Sequence, residues 1–241
     1  MTKHFIEYLL TAALAVMTAQ SCVSKIAPIF DESSANRVEA LAERLNETLT
    51  GAPNGWLLEY YPSSGQYYGG FNVFLSFSEG NKVKVGSEVA GKGKTATSTY
   101  SIYQSAGCVL TLDTYNEVMH YFADPETTGG QGAGFGFEGD FEFNVLDLQD
   151  EKITLKGRKT GSTMTMTPMP VSMSWDDYIV ALKEEESAIS KHTRIRYQTA
   201  DNKYDGRING RTLEIFSEVD GEQVTTSYPF IFNLMGVTFY K

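Results

Sequence analysis

The sequence predicts an α+β protein dominated by antiparallel β-structure, and three observations carry that expectation. Apolar and polar residues alternate through many short runs, as in Trp56, Leu58 and Tyr60 or Phe71, Val73, Leu75 and Phe77, so each run has one face to bury. The breaks between runs hold turn formers such as Glu79-Gly80-Asn81, Asn209-Gly210 and Asp220-Gly221. Helical spacing appears in two places, around Val38 to Leu49 and around Trp175 to Leu182. A chain of 241 residues, 41% hydrophobic and 12% aromatic, has material for a sizeable core in one or two domains. Its formal charge of -10 argues against a sequence-independent grip on nucleic acid, which needs clustered Lys and Arg to replace phosphate counterions.

Taken in order, Met1 to Ser21 reads as a secretion signal, with Lys3 and His4 ahead of an apolar run, Tyr8 to Met17, too short to span a bilayer. Ala19-Gln20-Ser21-Cys22 resembles the lipobox at which a bacterial signal peptidase cuts before a cysteine that is then acylated. Residues 22–32 form a tether. A main β domain spans 33–170 and begins with a helix whose stripe is Val38, Leu41, Ala42, Leu45 and Leu49, opened by Ser34 or Asn36 and ended by Gly51 and Pro53. Strands follow at Trp56 to Tyr60, Phe71 to Phe77, Lys82 to Val85, Tyr100 to Tyr103, Val109 to Asp113, Val118 to Phe122, Phe141 to Val145, Ile153 to Leu155 and Met164 to Met166. Ser174-Trp175-Asp176-Asp177 supplies a cap and early carboxylates for a second helix. That helix opens a smaller β unit, 171–241, with strands at Ile195 to Tyr197, Leu213 to Ile215 and Phe230 to Phe232. The expected architecture is a lipocalin-like barrel or a sandwich, followed by this smaller unit, either whole or an incomplete second domain.

Motifs for catalysis and cofactors are scarce. Gly93-Lys94-Thr95 fails as a phosphate loop, because the glycine required five places earlier is Glu88. Asp201 to Gly206 fails as a calcium loop, because Lys203 stands at a ligand position and Thr212 stands where the closing Glu belongs. There is no His-Glu-x-x-His, Gly-x-Ser-x-Gly or Cys-x-x-Cys. If Cys22 is acylated, Cys108 is left without a disulfide partner and reads as a small apolar side chain opening a strand. Asp176 and Asp177 are explained by capping. His120 with Glu117 and Asp124 is the one cluster containing histidine, and on a strand Glu117 and His120 point to opposite faces. No metal or other cofactor is expected. Paired carboxylates remain the one hydrolytic route left open, and nothing in the sequence selects a pair.

The run Thr97 to Pro125, TSTYSIYQSAGCVLTLDTYNEVMHYFADP, with APNGWLLEYYP at Ala52 to Pro62, GGFNVFLSF at Gly69 to Phe77, GDFEFNVL and ITLKGRKTGSTMTMTP ending at Pro168, resembles a family of Bacteroidetes lipoproteins known as domain of unknown function 4302. The resemblance covers roughly 36–178 and implies an outer-membrane lipoprotein without bringing an activity. Cys108 stands where the family pattern has Pro, and the chain stops at Lys241 where members usually continue, so a short or truncated member is expected.

These readings converge on a non-catalytic binding or accessory lipoprotein of the cell envelope, held on the membrane through Cys22, with glycan or peptide as ligand. A protein–protein or structural role is the alternative, and a hydrolase using paired carboxylates is a more distant one. The ligand residues are expected in Tyr60-Tyr61 and Tyr67-Tyr68-Gly69-Gly70: adjacent tyrosines cannot all point inward, so Tyr61 and one of Tyr67 or Tyr68 are expected to be exposed. Replacing Cys22 with Ala is expected to abolish incorporation of labelled fatty acid and move the protein from the membrane to the soluble fraction. Unchanged partitioning would refute the anchor.

Overall fold

Short alternating strands joined by tight turns pair most readily with their chain neighbours. The computed structural model describes residues 34–127, 129–130, 134–199, 203–219 and 221–241, so the signal, the tether and Cys22 lie outside the described residues. After helix α1 (Ser34–Gly51) come β1 (Trp56–Tyr60), β2 (Phe71–Ser78), β3 (Lys82–Ser87), β4 (Thr95–Gln104) and β5 (Cys108–Leu112). A short helix α2 (Glu117–His120) precedes β6 (Glu142–Gln149), β7 (Lys152–Gly157) and β8 (Thr163–Pro168). These eight strands pair in sequence order as a closed antiparallel barrel, with β8 returning to β1 so that Leu58 lies opposite Met166.

An eight-stranded barrel is just wide enough for side chains to fill. Trp56, Leu58, Val73, Leu75, Val85, Leu110, Phe143, Ile153, Leu155 and Met166 supply that filling. α1 adds Leu45 and Leu49 to the same core; the Trp56 indole donates to the Leu49 carbonyl at 3.0 Å, and the Tyr100 hydroxyl donates to Asn46 at 2.7 Å. At the opposite end of β1, Phe122 lies 4.9 Å from the Tyr60 ring and 5.2 Å from Phe71, and Phe137 lies 5.3 Å from Phe71.

One expected strand is corrected here. Val118 to Phe122 forms the single helical turn α2 and its exit instead of a third strand, because the Asn116 side chain accepts from the backbone N–H groups of Val118 at 3.1 Å and Met119 at 3.2 Å. Val118, Met119 and Phe122 are thereby all buried, a spacing that fits a helix and not an alternating strand.

After α3 (Trp175–Ser190) the chain forms β9 (Arg194–Gln198), β10 (Lys203–Asn209), β11 (Thr212–Val219), β12 (Glu222–Asn233) and β13 (Gly236–Phe239), a second antiparallel sheet in the order β13-β12-β11-β10-β9. The sequence reading did not anticipate β10 or β13. Barrel and second sheet lie within one compact unit, residues 35–241. They meet on the outer face of β2, where Phe74 is buried with Met169, Tyr178, Ile179, Leu182, Phe230 and Phe232. The approach is close: the Gly70 N–H donates to the Phe230 carbonyl at 2.9 Å, and a Cβ on Gly70 would meet Ile231 at 2.7 Å. Gly69, at φ +67, leaves no room either, since a Cβ there would meet Arg211 at 2.3 Å.

A buried ion pair locks this joint. Glu88, whose side chain has 0% exposure, receives both terminal nitrogens of Arg211 at 2.9 and 3.0 Å. Arg211 also donates to the Gly70 carbonyl at 2.6 Å and to Glu186 of α3 at 3.2 Å, and lies over the rings of Phe71 and Phe232. Glu88 further accepts from the Asn72 N–H at 2.7 Å. Removing one member of such a pair strands a buried charge, at a cost of about 3–5 kcal/mol. Arg211→Met is expected to lower unfolding stability by about that amount in urea titration, and the double variant with Glu88→Gln to recover part of it. A single-variant loss under about 1 kcal/mol would show that the joint does not depend on the pair.

Candidate functional site

The tyrosines singled out in the sequence do not share one environment. Tyr61 is 4% exposed and packs on Tyr240 at 4.7 Å between ring centroids, with burial first among the causes that raise its phenol above the ordinary range. The expectation of an exposed Tyr61 is therefore corrected: it points out of the barrel, but that outer face is covered by the end of the chain. Tyr67 is 68% exposed and Tyr68 is half-buried. Both line one cleft of about 670 Å³, which Tyr61 does not.

The loop carrying Tyr67 is held by its own polar groups. Ser63 and Gln66 adopt left-handed backbone conformations, φ +63 and +50, which cost non-glycine residues of order 1–3 kcal/mol each unless the surroundings enforce them. The enforcement comes from Ser162, whose hydroxyl donates to the Ser63 carbonyl at 2.7 Å and accepts from the Gln66 side chain at 2.9 Å. The Tyr67 ring lies over Gly65, where a Cβ would sit 2.1 Å from Cζ, so this glycine makes room for the ring. On the same cleft, Phe137 comes from the segment before β6, and its neighbour Glu138 is also left-handed, φ +56. Three of the four left-handed non-glycine residues described thus sit in or beside the two loops bordering this cleft.

The remaining wall is the barrel-proximal end of the second sheet: Asn209, Gly210, Arg211, Thr212, Glu214, Ser227 and Pro229. Glu214 lies opposite Ser227 in the ladder and accepts from the Asn209 amide at 2.9 Å and from Arg207 at 2.6 Å. These two donors, Asn209 first, hold its carboxyl below the usual carboxylate range, so it presents anionic acceptor oxygens at neutral pH. The sequence offered no signal for this wall, since it depends on how β10 and β11 dock beside a loop far earlier in the chain.

A family model described as a domain of unknown function (DUF4302) matches residues 27–241. The chain belongs to this family. The match runs past the 36–178 stretch that carries the sequence resemblance and takes in the second sheet of this DUF4302 chain. No curated protein and no solved structure matches it.

The other groups raised by the sequence have structural partners. Cys108 is buried in the barrel core, and burial pushes its thiol up. Ser174 caps α3, accepting from the Asp177 N–H at 3.1 Å and donating to the Asp177 carboxylate at 2.7 Å, while Asp176 accepts from the Gly93 N–H at 2.8 Å. His120 stacks on Phe141 at 4.6 Å, and its Nδ1 lies 3.1 Å from the Asn116 carbonyl. Among the described residues, no group of three or more His, Cys, Asp or Glu is arranged to hold a metal ion.

Partial burial lowers the His120 pKa, with the Asn116 carbonyl opposing the shift. The unfolded chain then binds this proton more readily than the folded one, so His120 costs the fold stability as pH falls below about 6.5. An NMR titration is expected to show His120 with a midpoint below the ordinary imidazole value of about 6.5. A higher midpoint for His120 would contradict the packing described.

Proposed function

We propose that this protein is a lipid-anchored, non-catalytic carbohydrate-binding module of the cell envelope, with the ligand held in the cleft between the Tyr67 loop and the second sheet. The observation that carries this reading is the exposed Tyr67 ring, held over Gly65 on one wall, with Glu214, Asn209 and Ser227 on the other. A sugar presents apolar C–H faces, which an aromatic ring covers, and hydroxyls, which a carboxylate, an amide and a serine hydrogen-bond. Glu214 is the one carboxylate among the described residues lining the cleft. Glycoside hydrolysis ordinarily takes two carboxylates about 5–9.5 Å apart, so the lining favours retention over turnover. The lipobox at Cys22 supports the envelope location, and the resemblance to Bacteroidetes lipoproteins favours the outer membrane.

A glycan array probed with lipid-free protein is expected to give binding that falls at least about tenfold in Tyr67→Ala and in Glu214→Gln. Tyr61→Ala is expected to lower thermal stability while leaving the glycan preference unchanged. Release of reducing sugar from any bound glycan, or glycan binding indifferent to Tyr67, would overturn the proposal.

A further inference from the structure

The barrel closes on itself and has no free strand edge, but the second sheet ends at β9 with nothing among the described residues paired to its outer side. An unpaired edge is a template for another strand, and proteins usually blunt it with cover, proline or charge. Every residue of β9 except Ile195 is exposed, with Tyr197 at 60%. The pairing fixes which backbone groups are free. The Ile208 N–H donates to the Thr193 carbonyl, so Thr193, Ile195 and Tyr197 occupy the hydrogen-bonded positions against β10. The N–H and C=O groups of Arg194, Arg196 and Gln198 therefore point to the open edge.

The charges are graded across the sheet. β9 carries Arg194 and Arg196, β10 carries Lys203 and Arg207 against Asp205, and β11 carries Glu214 and Glu218. Within the sheet Arg196 meets Asp205 at 2.7 Å and Arg207 meets Glu214 at 2.6 Å. Arg194, opposite Arg207, lies outermost, and there is no Asp or Glu between Glu186 and Asp201 in a chain whose net charge is -10. On the other face Ile195 and Tyr197 continue an apolar row, with Tyr197 stacked on Tyr204 at 6.3 Å. A second copy of β9 would bring a second pair of arginines against the first, so the charge disfavours self-pairing.

From the unpaired edge and this grading, we infer that β9 is a docking edge for an extended partner segment alternating acidic and apolar residues, which adds antiparallel as a sixth strand. Acidic side chains sit opposite Arg194 and Arg196 and share their face, and apolar ones lie beside Ile195 and Tyr197. Because the residues opposite Arg194 and Arg196 occupy hydrogen-bonded positions, the partner's acidic residues donate their N–H groups to β9, while its apolar residues point theirs away. This edge is separate from the carbohydrate cleft, and none of Arg194 to Gln198 lines that cleft.

The test uses the full lipid-free chain and fluorescently labelled octapeptides of alternating Glu and Val, read by anisotropy. Saturable binding is expected, at least about tenfold weaker for a Lys–Val peptide and for Arg194→Glu, a variant checked for an unchanged circular dichroism spectrum. N-methylation of the Glu residues is expected to abolish binding, and N-methylation of the Val residues to leave most of it. Equal sensitivity to both methylation patterns would reduce the edge to charge adhesion and overturn the proposal. So would absence of peptide binding, or sedimentation showing a dimer that Arg194→Glu dissociates.

Discussion

The carboxylate of Glu88 has no access to water, and the joint between the two sheets follows from the need to compensate it. A buried anion persists only when its oxygens are hydrogen-bonded and its charge is met. Here the compensation is drawn from three places: the β2 backbone at Asn72, the Asn72 side chain at 3.3 Å, and the β10–β11 turn through Arg211, whose guanidinium also ties in Glu186 of α3. Asn72 in turn donates to the Phe232 carbonyl at 2.9 Å and accepts from the Tyr178 hydroxyl at 3.3 Å, and burial, followed by the charges of Glu88 and Glu59, pushes that phenol up to about 12. The apolar contacts around Phe74 supply area without direction, whereas this network fixes where β12 and α3 sit. Because the cleft wall is the same turn that carries Arg211, the network also sets the width of the cleft.

How much of this was legible in the sequence depends on the range of the interaction involved. The inward residues of the barrel strands follow a period of two that is set locally, so the strands and their turns could be read directly. Local patterning failed at Val118 to Phe122, where a single asparagine cap and the need to cover the barrel end outweighed a β-rich composition. It failed differently at Tyr61, because alternation says which side of a strand a residue leaves from and not what lies there. Two signals were present and unused. Phe74 is a large apolar residue on the polar-facing side of β2, and Gly69-Gly70 leaves a backbone without side chains beside it; together they indicate that something packs on the outside of the barrel. That one of Tyr67 and Tyr68 is exposed was anticipated, since adjacent tyrosines cannot share a face, and Tyr67 is that residue. Their partner wall of Asn209 and Glu214 could not have been, since it arises from a contact between segments far apart in sequence.

The two sheets answer the edge problem in opposite ways. The barrel removes its edges by closure, which suits a core of large aliphatic and aromatic side chains with a helix at one end and rings at the other. The second sheet is held along β12, where Phe230, Ile231 and Phe232 are buried, while the residues from Glu222 to Tyr228 are exposed. Its distal strands therefore have little core beneath them and rely on cross-strand pairs such as Arg196 with Asp205 and Tyr197 with Tyr204. Such a region is suited to being a recognition surface, since little of the protein's stability depends on its sequence.

Closure of the barrel by β1 and β8 also governs when the molecule can fold. Pairing of Glu59 with Thr165 joins the first and last strands of the barrel, so a loop of about a hundred residues must close at an entropic cost of roughly 4 kcal/mol before that ladder returns anything. During synthesis, β1 to β7 lack their closing strand until β8 emerges, whereas the hairpins of the second sheet need only neighbours a few residues away. Barrel closure is therefore the β-pairing with the higher loop-closure cost of the two. A chaperone that shields β1 until Pro168 has been delivered would meet the interval in which this chain is most prone to pair with the wrong strand.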